Sequence, residues 1–317
     1  DPSLTDFIQT NSYYSQNGSV SIADGKAFKV YDGETLVAFL GSGTLTSRQI
    51  TDLYGKTLRP SNTSTVVAPQ NLVASLSLTS EGTSARLAWQ QSNDDVSLWE
   101  VSYSTDGTNW NIDTTDKCEY TLTGLAEGQT VTVRVRTYYG GTLYSDYATC
   151  TFTTLSPVSY IDAEGNTQTC SAYTVLNGTE DSIGIEIDTE NIESLDDLVY
   201  EDSWYVASGK IDYSSYLSLG GNVHLILTDG AEVNFPKANL SAGMAGVLSI
   251  YGEPAKLNIY GQQAGTGTIN ARGWVMALGL TVNGGTLNAT LDLPVDGGVI
   301  MIMGDITVNG GTVYARS

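Results

Sequence analysis

Four tyrosines, Tyr138, Tyr139, Tyr144 and Tyr147, lie close together around a Gly-Gly pair. Strand-like runs precede and follow this segment, so we expect it to form a loop at one end of a β-sheet. Tyrosine offers a large contact area at a small cost in conformational entropy, and such loops often carry binding residues. We therefore predict that the four tyrosines contact a sugar or a protein. Packing of the same rings on neighbouring strands is the open alternative.

A second set of aromatic residues, Tyr251, Tyr260 and Trp274, lies in a glycine-punctuated region nearer the C-terminus. Rings arranged along one flank of a repetitive β-structure could stack on sugar rings, which predicts a carbohydrate-binding role for these three residues. Ordinary packing against neighbouring strands is the alternative, because aromatic side chains bury a large area wherever they lie.

An acidic run between residues 180 and 202 contains ten carboxylates and no base. Clustered oxygen ligands can hold Ca²⁺, and Asp188, Asp196 and Asp197 are the candidates within the run. The run lacks the spacing of an EF-hand loop, and its isoleucines and leucines are typical of a strand followed by a short helix. A solvated charged face is therefore the alternative. No other cofactor is indicated.

Residues for catalysis are scarce. The single histidine, His224, lies between two apolar residues of a predicted strand and should point outward. One histidine excludes a multi-histidine zinc site. The three cysteines, Cys118, Cys150 and Cys170, are too few for a disulfide framework, and either one bridge or three free thiols is open. No P-loop, dinucleotide fingerprint or nucleophile elbow is present, so we predict no catalytic residue.

The composition narrows the classes of partner. The chain has 317 residues, 35 acidic against 14 basic, and a formal net charge of −21. A polyanion of this kind cannot neutralise phosphates, which argues against nucleic-acid and anionic-membrane partners. No apolar run approaches the roughly 18 residues of a membrane-spanning helix. Abundant glycine, tyrosine, serine and threonine favour β-structure.

Residues 1–64 predict a small α+β segment. The runs 26–31 and 35–40 flank an Asp-Gly pair and predict a β-hairpin. Thr46 followed by Gln49 predicts a capping box at the start of a short helix. Ile50, Leu53 and Tyr54 would form its apolar face, and polar, proline-bearing linkers follow near residues 59–65 and 153–157.

Residues 65–155 contain short strands of period two, separated by turn residues, as in an antiparallel sandwich. The segments that carry a resemblance are Pro69-Gln-Asn-Leu, Leu87-Ala-Trp89, Trp99-Glu-Val-Ser-Tyr-Ser-Thr-Asp-Gly-Thr-Asn-Trp110, Leu122-Thr-Gly-Leu125 and Val131-Thr-Val-Arg-Val-Arg. Together they resemble a fibronectin type III domain, an immunoglobulin-like sandwich. The resemblance implies that Trp89 lies between the two sheets. Val131 stands where the family usually has a tyrosine, so the tyrosine-corner hydrogen bond is absent.

Residues 156–317 contain an internal repeat. The segment Thr281-Val-Asn-Gly-Gly-Thr-Leu-Asn-Ala289 recurs 26 residues later as Thr307-Val-Asn-Gly-Gly-Thr-Val-Tyr-Ala315. A weaker relative covers residues 257–271. Such a unit buries too little apolar surface alone and must stack on its neighbours as a solenoid. Val282, Leu287, Val308 and Val313 should then form inward ladders. Asn283 and Asn309 should stack at equivalent turns and bond along the axis.

A further resemblance is carried by Trp204-Tyr-Val, Asn222-Val-His-Leu-Ile-Leu-Thr-Asp-Gly230, Leu257-Asn-Ile-Tyr-Gly-Gln262 and Gly265-Thr-Gly-Thr. Their arrangement is similar to one that recurs in surface proteins of gram-negative gut bacteria. Those proteins join fibronectin-like modules to a right-handed, pectin-lyase-like parallel β-helix. For residues 156–317 the resemblance implies a short right-handed parallel β-helix. With the two preceding regions, we predict a mainly β chain with a small N-terminal α+β segment (1–64), a fibronectin type III sandwich (65–155) and this β-helix (156–317).

Low lysine content, abundant threonine, serine, asparagine and glycine and the acidic balance predict a secreted or surface protein. The resemblance adds a bacterial cell surface, with anchoring to the outer membrane through a lipid signal that this sequence lacks. The chain stops two residues after a repeat unit, so we expect a fragment of a longer solenoid or an end that packs on a partner.

Three functions are consistent with these patterns. The first is a non-catalytic, exported surface protein that binds a polysaccharide or another surface protein and has a role in adhesion. The second is a polysaccharide lyase or glycoside hydrolase of the β-helix type. It is disfavoured because the motif set of pectin-degrading hydrolases is absent and only five bases lie beyond residue 155. The third is a structural spacer within a larger surface protein.

Overall fold

The structure, a computed structural model, describes residues 20–61, 65–91, 98–138, 143–180, 182–183, 202–237, 246–291 and 299–316. The chain is mainly β, as predicted, and the one helix in these ranges has six residues. The chain divides into two compact units. The first contains Asp1–Ala74, Arg86–Leu122 and Gln129–Thr154, and the second contains Ser75–Ala85, Thr123–Gly128 and Leu155–Ser317. The domain boundaries at residues 64 and 155 stay predictions.

The N-terminal segment is a small α+β arrangement. Its elements are β1 (Ser21–Ile22), β2 (Ala27–Asp32), β3 (Thr35–Leu40), β4 (Gly43–Thr44), α1 (Ser47–Asp52) and β5 (Thr57–Ser61). β3, β2 and β5 form an antiparallel sheet in that order. Asp32 pairs with Thr35, so the predicted hairpin turns through two residues, and Gly33 has the positive φ of 59° that such a turn favours.

The predicted capping box of α1 is confirmed. The Gln49 backbone N–H donates to Thr46 Oγ1 (3.2 Å), and the Thr46 backbone N–H donates to Gln49 Oε1 (2.8 Å). Leu53 is buried and Ile50 packs against the same small core. Tyr54 was wrongly placed on the apolar face, since its side chain is 73% exposed. The helix ends at Asp52, so Tyr54 follows it in a turn instead of continuing its stripe.

Seven strands form the sandwich. They are β6 (Gln70–Thr79), β7 (Gly82–Gln90), β8 (Trp99–Ser104), β9 (Asn111–Thr115), β10 (Glu119–Leu125), β11 (Thr130–Thr137) and β12 (Ala148–Thr153). One sheet has the order β12-β11-β8-β9, and β10, β7 and β6 are neighbours in another. Trp89 is buried and meets Trp99 edge to face at 6.0 Å, which confirms its predicted core position. Val131 is fully buried and contributes apolar contact at the corner position.

Parallel strands build the region after residue 155. A hairpin of β13 (Val158–Ile161) and β14 (Thr167–Cys170) precedes them. The strands that follow are β15 (Tyr173–Val175), β16 (Ser182–Ile183), β17 (Asp202–Ala207), β18 (Lys210–Asp212), β19 (Leu217–Leu227), β20 (Glu232–Asn234), β21 (Gly246–Gly261), β22 (Thr268–Ala271), β23 (Trp274–Ala277), β24 (Gly279–Val282), β25 (Thr286–Thr290), β26 (Ile300–Ile302), β27 (Ile306–Val308) and β28 (Thr312–Arg316).

These strands wind as a parallel β-helix with three faces. β19 and β21 contain Gly221 and Gly252, both with positive φ, and the two halves of each strand pair with different partners. Face A comprises β16, the first halves of β19 and β21, β23 and β26. Face B comprises β15, β17, the second halves of β19 and β21, β24 and β27. Face C comprises β18, β20, β22, β25 and β28. Within the second unit, Ser77 and Leu78 of β6 also pair antiparallel with Thr174 and Tyr173 of β15.

The predicted repeat is confirmed by the strand register. Thr281 pairs with Thr307 and Ala289 with Ala315, 26 residues apart in each case. The inward rows of the last three coils are Leu257–Leu280–Ile306, Ile259–Val282–Val308 and Ile269–Leu287–Val313. Val282 and Leu287 are fully buried, whereas Val308, in the last described coil, is 52% exposed. The inward ladders therefore form as predicted, with their last members less covered.

Stacked amides run along the solenoid. Asn309 Nδ2 donates to Asn283 Oδ1 (2.8 Å), which confirms the predicted turn stack. The turn needs glycine, since a Cβ on Gly284 would lie 2.6 Å from the Gly261 nitrogen and Gly285 has a φ of +75°. Two further ladders run Asn258 to Asn222 to Asp202 and Asn288 to Asn270 to Asn234 to Asp212. In each ladder, the amide N–H of a later coil donates to an oxygen of an earlier coil. The two longer ladders end at Asp202 and Asp212, because a carboxylate accepts hydrogen bonds and has no N–H to donate.

Substitutions in one inward row test how far the coils cover one another. Leu280 is 1% exposed and Ile306, its in-register neighbour, is 55% exposed. We expect Leu280→Ala to lower the free energy of unfolding by about 2–5 kcal/mol, because it leaves a cavity. Ile306→Ala should cost less than about 1 kcal/mol, as exposed substitutions do. Urea unfolding followed by circular dichroism measures both, and equal losses would contradict this account of the last coil.

Candidate functional site

A continuous stack of aromatic and arginine side chains covers the outer face of the β12-β11-β8-β9 sheet. In order, its members are Trp110, Arg134, Tyr147, Arg136, Tyr144 and Tyr138. We call this stack the tyrosine–arginine ladder. Each guanidinium carbon lies over two rings: Arg134 at 3.6 Å from Trp110 and 4.5 Å from Tyr147, Arg136 at 3.6 Å from Tyr144 and 4.7 Å from Tyr147. These distances are those of cation–π contacts.

Strand alternation positions the ladder. Val133 and Val135 of β11 point into the core and are fully buried, so Arg134 and Arg136 project from the opposite face. Tyr138, directly after β11, forms an antiparallel bridge with Tyr144. Their rings stack at a centroid distance of 4.9 Å and an interplanar angle of 19°. The two ends of the predicted tyrosine loop are thereby held together.

Glu100 of β8 anchors the ladder at its centre. Arg136 donates Nε to Oε1 and Nη2 to Oε2 of this carboxylate, both at 2.9 Å, and the Tyr147 hydroxyl donates to Oε1 at 2.9 Å. Burial raises the pKa of Glu100, but the hydrogen bonds from Arg136 and Tyr147 outweigh it and hold the pKa below its ordinary value. Glu100 therefore stays ionised and fixes the guanidinium plane on which Tyr144 and Tyr147 stack.

The structure brings together three of the four predicted binding tyrosines. Tyr138, Tyr144 and Tyr147 are all half-buried members of the ladder, and Tyr139 lies outside the described residues. Sequence reasoning missed Arg134, Arg136, Glu100 and Trp110. The period-two pattern of β11 contained a signal for the two arginines, since both occupy outward positions. The ligand-binding role of the tyrosines stays a prediction.

The three aromatic residues predicted on the β-helix do not form one surface. Tyr251, on face A, is 47% exposed, and Trp274, also on face A, is half-buried against the lumen core. Tyr260, on face B, is 9% exposed, and Trp204 and Tyr160 lie against its ring at centroid distances of 5.4 and 4.9 Å. Among the described residues, no ring contact joins Tyr251, Tyr260 and Trp274. Their carbohydrate-binding role stays a prediction.

The lone histidine belongs to the cluster around Tyr260. Val223 and Leu225 point into the lumen, so His224 points outward, as predicted. Its ring stacks on Trp204 at 4.3 Å and 12°, and 13% of its side chain is exposed. Tyr160 of the β13–β14 hairpin lies against Trp204 and Tyr260 and covers the cluster. The sequence did not indicate that Tyr160 covers Trp204 and Tyr260, because no regular spacing relates these three residues.

Hydrogen bonds specify one neutral form of His224. Asn222 Oδ1 accepts from Asn258 (2.9 Å), so the Asn222 amide nitrogen is the atom that faces His224 Nε2 at 3.1 Å. An amide N–H donates, so Nε2 accepts, and Nδ1 carries the proton that it donates to the Tyr260 hydroxyl at 3.0 Å. Burial lowers the pKa of His224, and the nearby Asp202 carboxylate opposes this shift.

The structure also bears on the predicted calcium ligands, the cysteines and the membrane-spanning segments. The calcium candidates Asp188, Asp196 and Asp197 lie outside the described residues, and no group of three or more His, Cys, Asp or Glu side chains in the described part could hold a metal. All three cysteines are free thiols. Burial raises the pKa of Cys150 to about 11, so this thiol is protonated at neutral pH. None of the helices in the described ranges is long and apolar enough to cross a membrane.

Comparison with known families decides the identity of the sandwich. Residues 67–151 match the family model of the fibronectin type III domain. This segment is a fibronectin type III domain. Such a domain is a binding or spacer module, and the ladder lies on the sheet of this domain that contains β11. No curated protein matches the chain.

Solved structures add weak likenesses. The chain is similar to a computationally redesigned β-sandwich protein at 23% identity, over 28% of this chain and 90% of that one, with a TM-score of 0.25. It is similar to the fibronectin type III domain of the human collagen alpha-1(XX) chain at 20% identity, over 31% and 93%, with a TM-score of 0.26. It is similar to pectate lyase PelI from Erwinia chrysanthemi, solved with tetragalacturonic acid, at 12% identity, over 70% and 78%, with a TM-score of 0.19. Scores of this size carry no argument about function.

Removal of the Glu100 carboxylate tests the anchor of the ladder in the fibronectin type III domain. Glu100→Ala leaves Arg136 without its buried partner, so we expect a loss of about 2–3 kcal/mol in the free energy of unfolding. Glu119→Ala is the matched control, because the Glu119–Arg86 pair is largely exposed and solvent screens it, so its loss should change the free energy of unfolding much less. Chemical unfolding measures both variants. Similar losses in the two would show that the ladder needs no charged anchor.

The lone histidine gives a pH prediction for the β-helix. The folded-state pKa of His224 lies below the value of about 6.5 for an unfolded chain, so its neutral form stabilises the fold. This contribution is complete above about pH 6.5 and is lost as the pH falls through the unfolded-state pKa towards the folded-state pKa. An NMR titration of the single imidazole should show a midpoint below 6.5. His224→Gln should reduce the change in unfolding free energy between pH 7 and pH 5. A midpoint at or above 6.5 would contradict this assignment.

Proposed function

We propose that this protein is a non-catalytic, exported surface protein that binds a polysaccharide or another surface protein through its fibronectin type III domain. The observation that supports the proposal is the stacked Tyr138–Tyr144 pair, in which the Arg136 guanidinium also packs on the Tyr144 ring. Sandwich domains of this kind are common in extracellular proteins, which is consistent with export.

The physical argument rests on preorganisation. A free tyrosine side chain loses rotational freedom when a ligand orders it, and that loss weakens binding. In the ladder the ring of Tyr144 is already held between Tyr138 and Arg136, so a ligand that stacks on the pair pays little further entropy. Sugar rings and aromatic side chains of a partner protein are the groups that fit such a surface.

Electrostatics favours an uncharged or weakly basic ligand. The chain has a net charge of −21, and both guanidinium groups of the ladder are occupied by rings, with Arg136 also paired to Glu100. Long-range repulsion therefore opposes a polyanionic ligand, and no unengaged cation in the ladder compensates it.

Loss of the Tyr144 ring tests the proposal. Wild-type protein, Tyr144→Ala and Tyr54→Ala are applied to a glycan array and to intact cells. Tyr54 is an exposed tyrosine outside the ladder and is the matched control. We expect Tyr144→Ala to weaken binding by about tenfold, or about 1.4 kcal/mol, and Tyr54→Ala to leave it unchanged.

Three outcomes would contradict the proposal. Equal binding by wild type and Tyr144→Ala would remove the ladder from any recognition role. Cleavage of a polysaccharide by the wild-type protein, measured as new reducing ends or unsaturated products, would replace the binding function with the lyase or hydrolase alternative. Absence of both binding and cleavage would favour the spacer alternative.

A further inference from the structure

Face C of the β-helix carries two regular rows of outward side chains. Lys210, Glu232, Thr268, Thr286 and Thr312 form one row in strand register, and Asp212, Asn234, Asn270, Asn288 and Tyr314 form the other. The residues between the rows, such as Ile269 and Leu287, are fully buried in the lumen, so both rows face away from the core. The unit Thr-x-Asn thus occurs in register on β22 and β25.

Some outward residues of faces A and B are buried, whereas Met301 on face A and Thr307 on face B are exposed. On face B, the outward residues Val206, Ile226 and Tyr260 are buried under the β13–β14 hairpin region. On face A, the outward residues Ser218 and Ser249 are 7% and 4% exposed. Every outward residue of the two face C rows is half-buried or exposed, and Tyr314 is 61% exposed.

The asparagine row is oriented before any ligand arrives. Asn288 donates to Asn270 (3.3 Å), Asn270 to Asn234 (2.8 Å) and Asn234 to Asp212 (2.9 Å). Each amide therefore has a fixed orientation and keeps a second N–H for another partner. These amide–amide hydrogen bonds explain the asparagines as structural residues, but they do not explain the threonines beside them.

The threonine row has unused hydrogen-bonding capacity. Within the described part of the chain, the hydroxyls of Thr268, Thr286 and Thr312 have no hydrogen-bond partner, although each backbone N–H of these residues is bonded. Threonine favours strands, so a strand preference alone is the competing explanation. A substitution that preserves that preference separates the two explanations.

We propose that face C binds an uncharged, hydroxyl-rich polysaccharide that lies along the solenoid axis. Adjacent coils repeat the threonine and asparagine groups at about 4.8 Å, which presents the same donors and acceptors to successive sugars of an extended chain. Tyr314 gives a stacking surface at one end of the rows. The outward residues of β22 and β25 are uncharged in a chain of net charge −21, which matches a neutral polymer and opposes a polyanion.

This inference names a ligand class for the proposed binding function and places it on a second surface, independent of the tyrosine–arginine ladder. The test uses affinity electrophoresis of the full chain in gels that contain a neutral β-glucan, xylan or mannan, with polygalacturonate as the anionic comparison. The variant is Thr268→Val/Thr286→Val/Thr312→Val, which removes three hydroxyls and keeps β-branched side chains. Tyr314→Ala is a second variant at an exposed position.

The matched control is Thr281→Val/Thr307→Val. These threonines are in register in the last two coils but point outward from face B. We expect the triple variant to bind at least one neutral polysaccharide about tenfold more weakly or worse, because three hydrogen bonds are lost. Tyr314→Ala should also weaken binding, and the face B control should leave it unchanged. Thermal unfolding of each variant shows that the fold is retained.

Three results would overturn the inference. The first is retention of the wild type by none of the neutral polysaccharides. The second is equal weakening by the face C variant and the face B control. The third is binding that Tyr144→Ala abolishes and the face C variants leave unchanged, which would support the ladder as the only site. The converse result, loss with the face C variants alone, would support this inference and contradict the ladder as the binding surface.

Discussion

Register between successive coils is the constraint on which the β-helix depends. A parallel strand that slipped by one residue would turn its whole apolar set outward, so each coil must repeat the inward positions of the coil before it. Leu257 and Leu280 meet this requirement in one row, as do Ile259 and Val282 in the next. The same register brings outward amides within hydrogen-bonding distance along the axis. The ladders that end on Asp202 and Asp212 are therefore a consequence of how the lumen packs.

The two units order their outward-facing aromatic residues by different means. In the sandwich, arginines separate the rings, and the carboxylate of Glu100 holds one of those arginines in place. On the β-helix, Trp204 and His224 stack directly because in-register strands place their rings one above the other. The first arrangement leaves half-buried tyrosines at the surface, and the second is closed by Tyr160. Of these two arrangements, only the ladder therefore offers aromatic side chains to a ligand at the surface.

Predictions from periodicity were confirmed where the local sequence pattern and the packing of the core require the same side-chain orientation. The 26-residue repeat and the stack of Asn309 on Asn283 follow from alternation and glycine placement, and the structure confirms them. The core position of Trp89, which the resemblance to a fibronectin type III domain implied, is also confirmed. The prediction for Tyr54 was wrong, because the helical spacing of apolar residues in the sequence continues beyond Asp52, where the helix ends. Composition correctly indicated a mainly β chain, and the residue motifs identified the fibronectin type III domain.

The sequence by itself determined the strand-rich fold and the positions that face inward, because those depend on side-chain period and turn chemistry. Its residue motifs also carried the resemblance to a fibronectin type III domain. Only the tertiary structure decided which outward residues meet. Arg136 and Glu100 are 36 residues apart, and Tyr160 covers Tyr260 across 100 residues. The rows of face C likewise join residues from separate coils of unequal length. No local pattern encodes such contacts, since outward positions tolerate many residue types and acquire a role only when folding sets their neighbours.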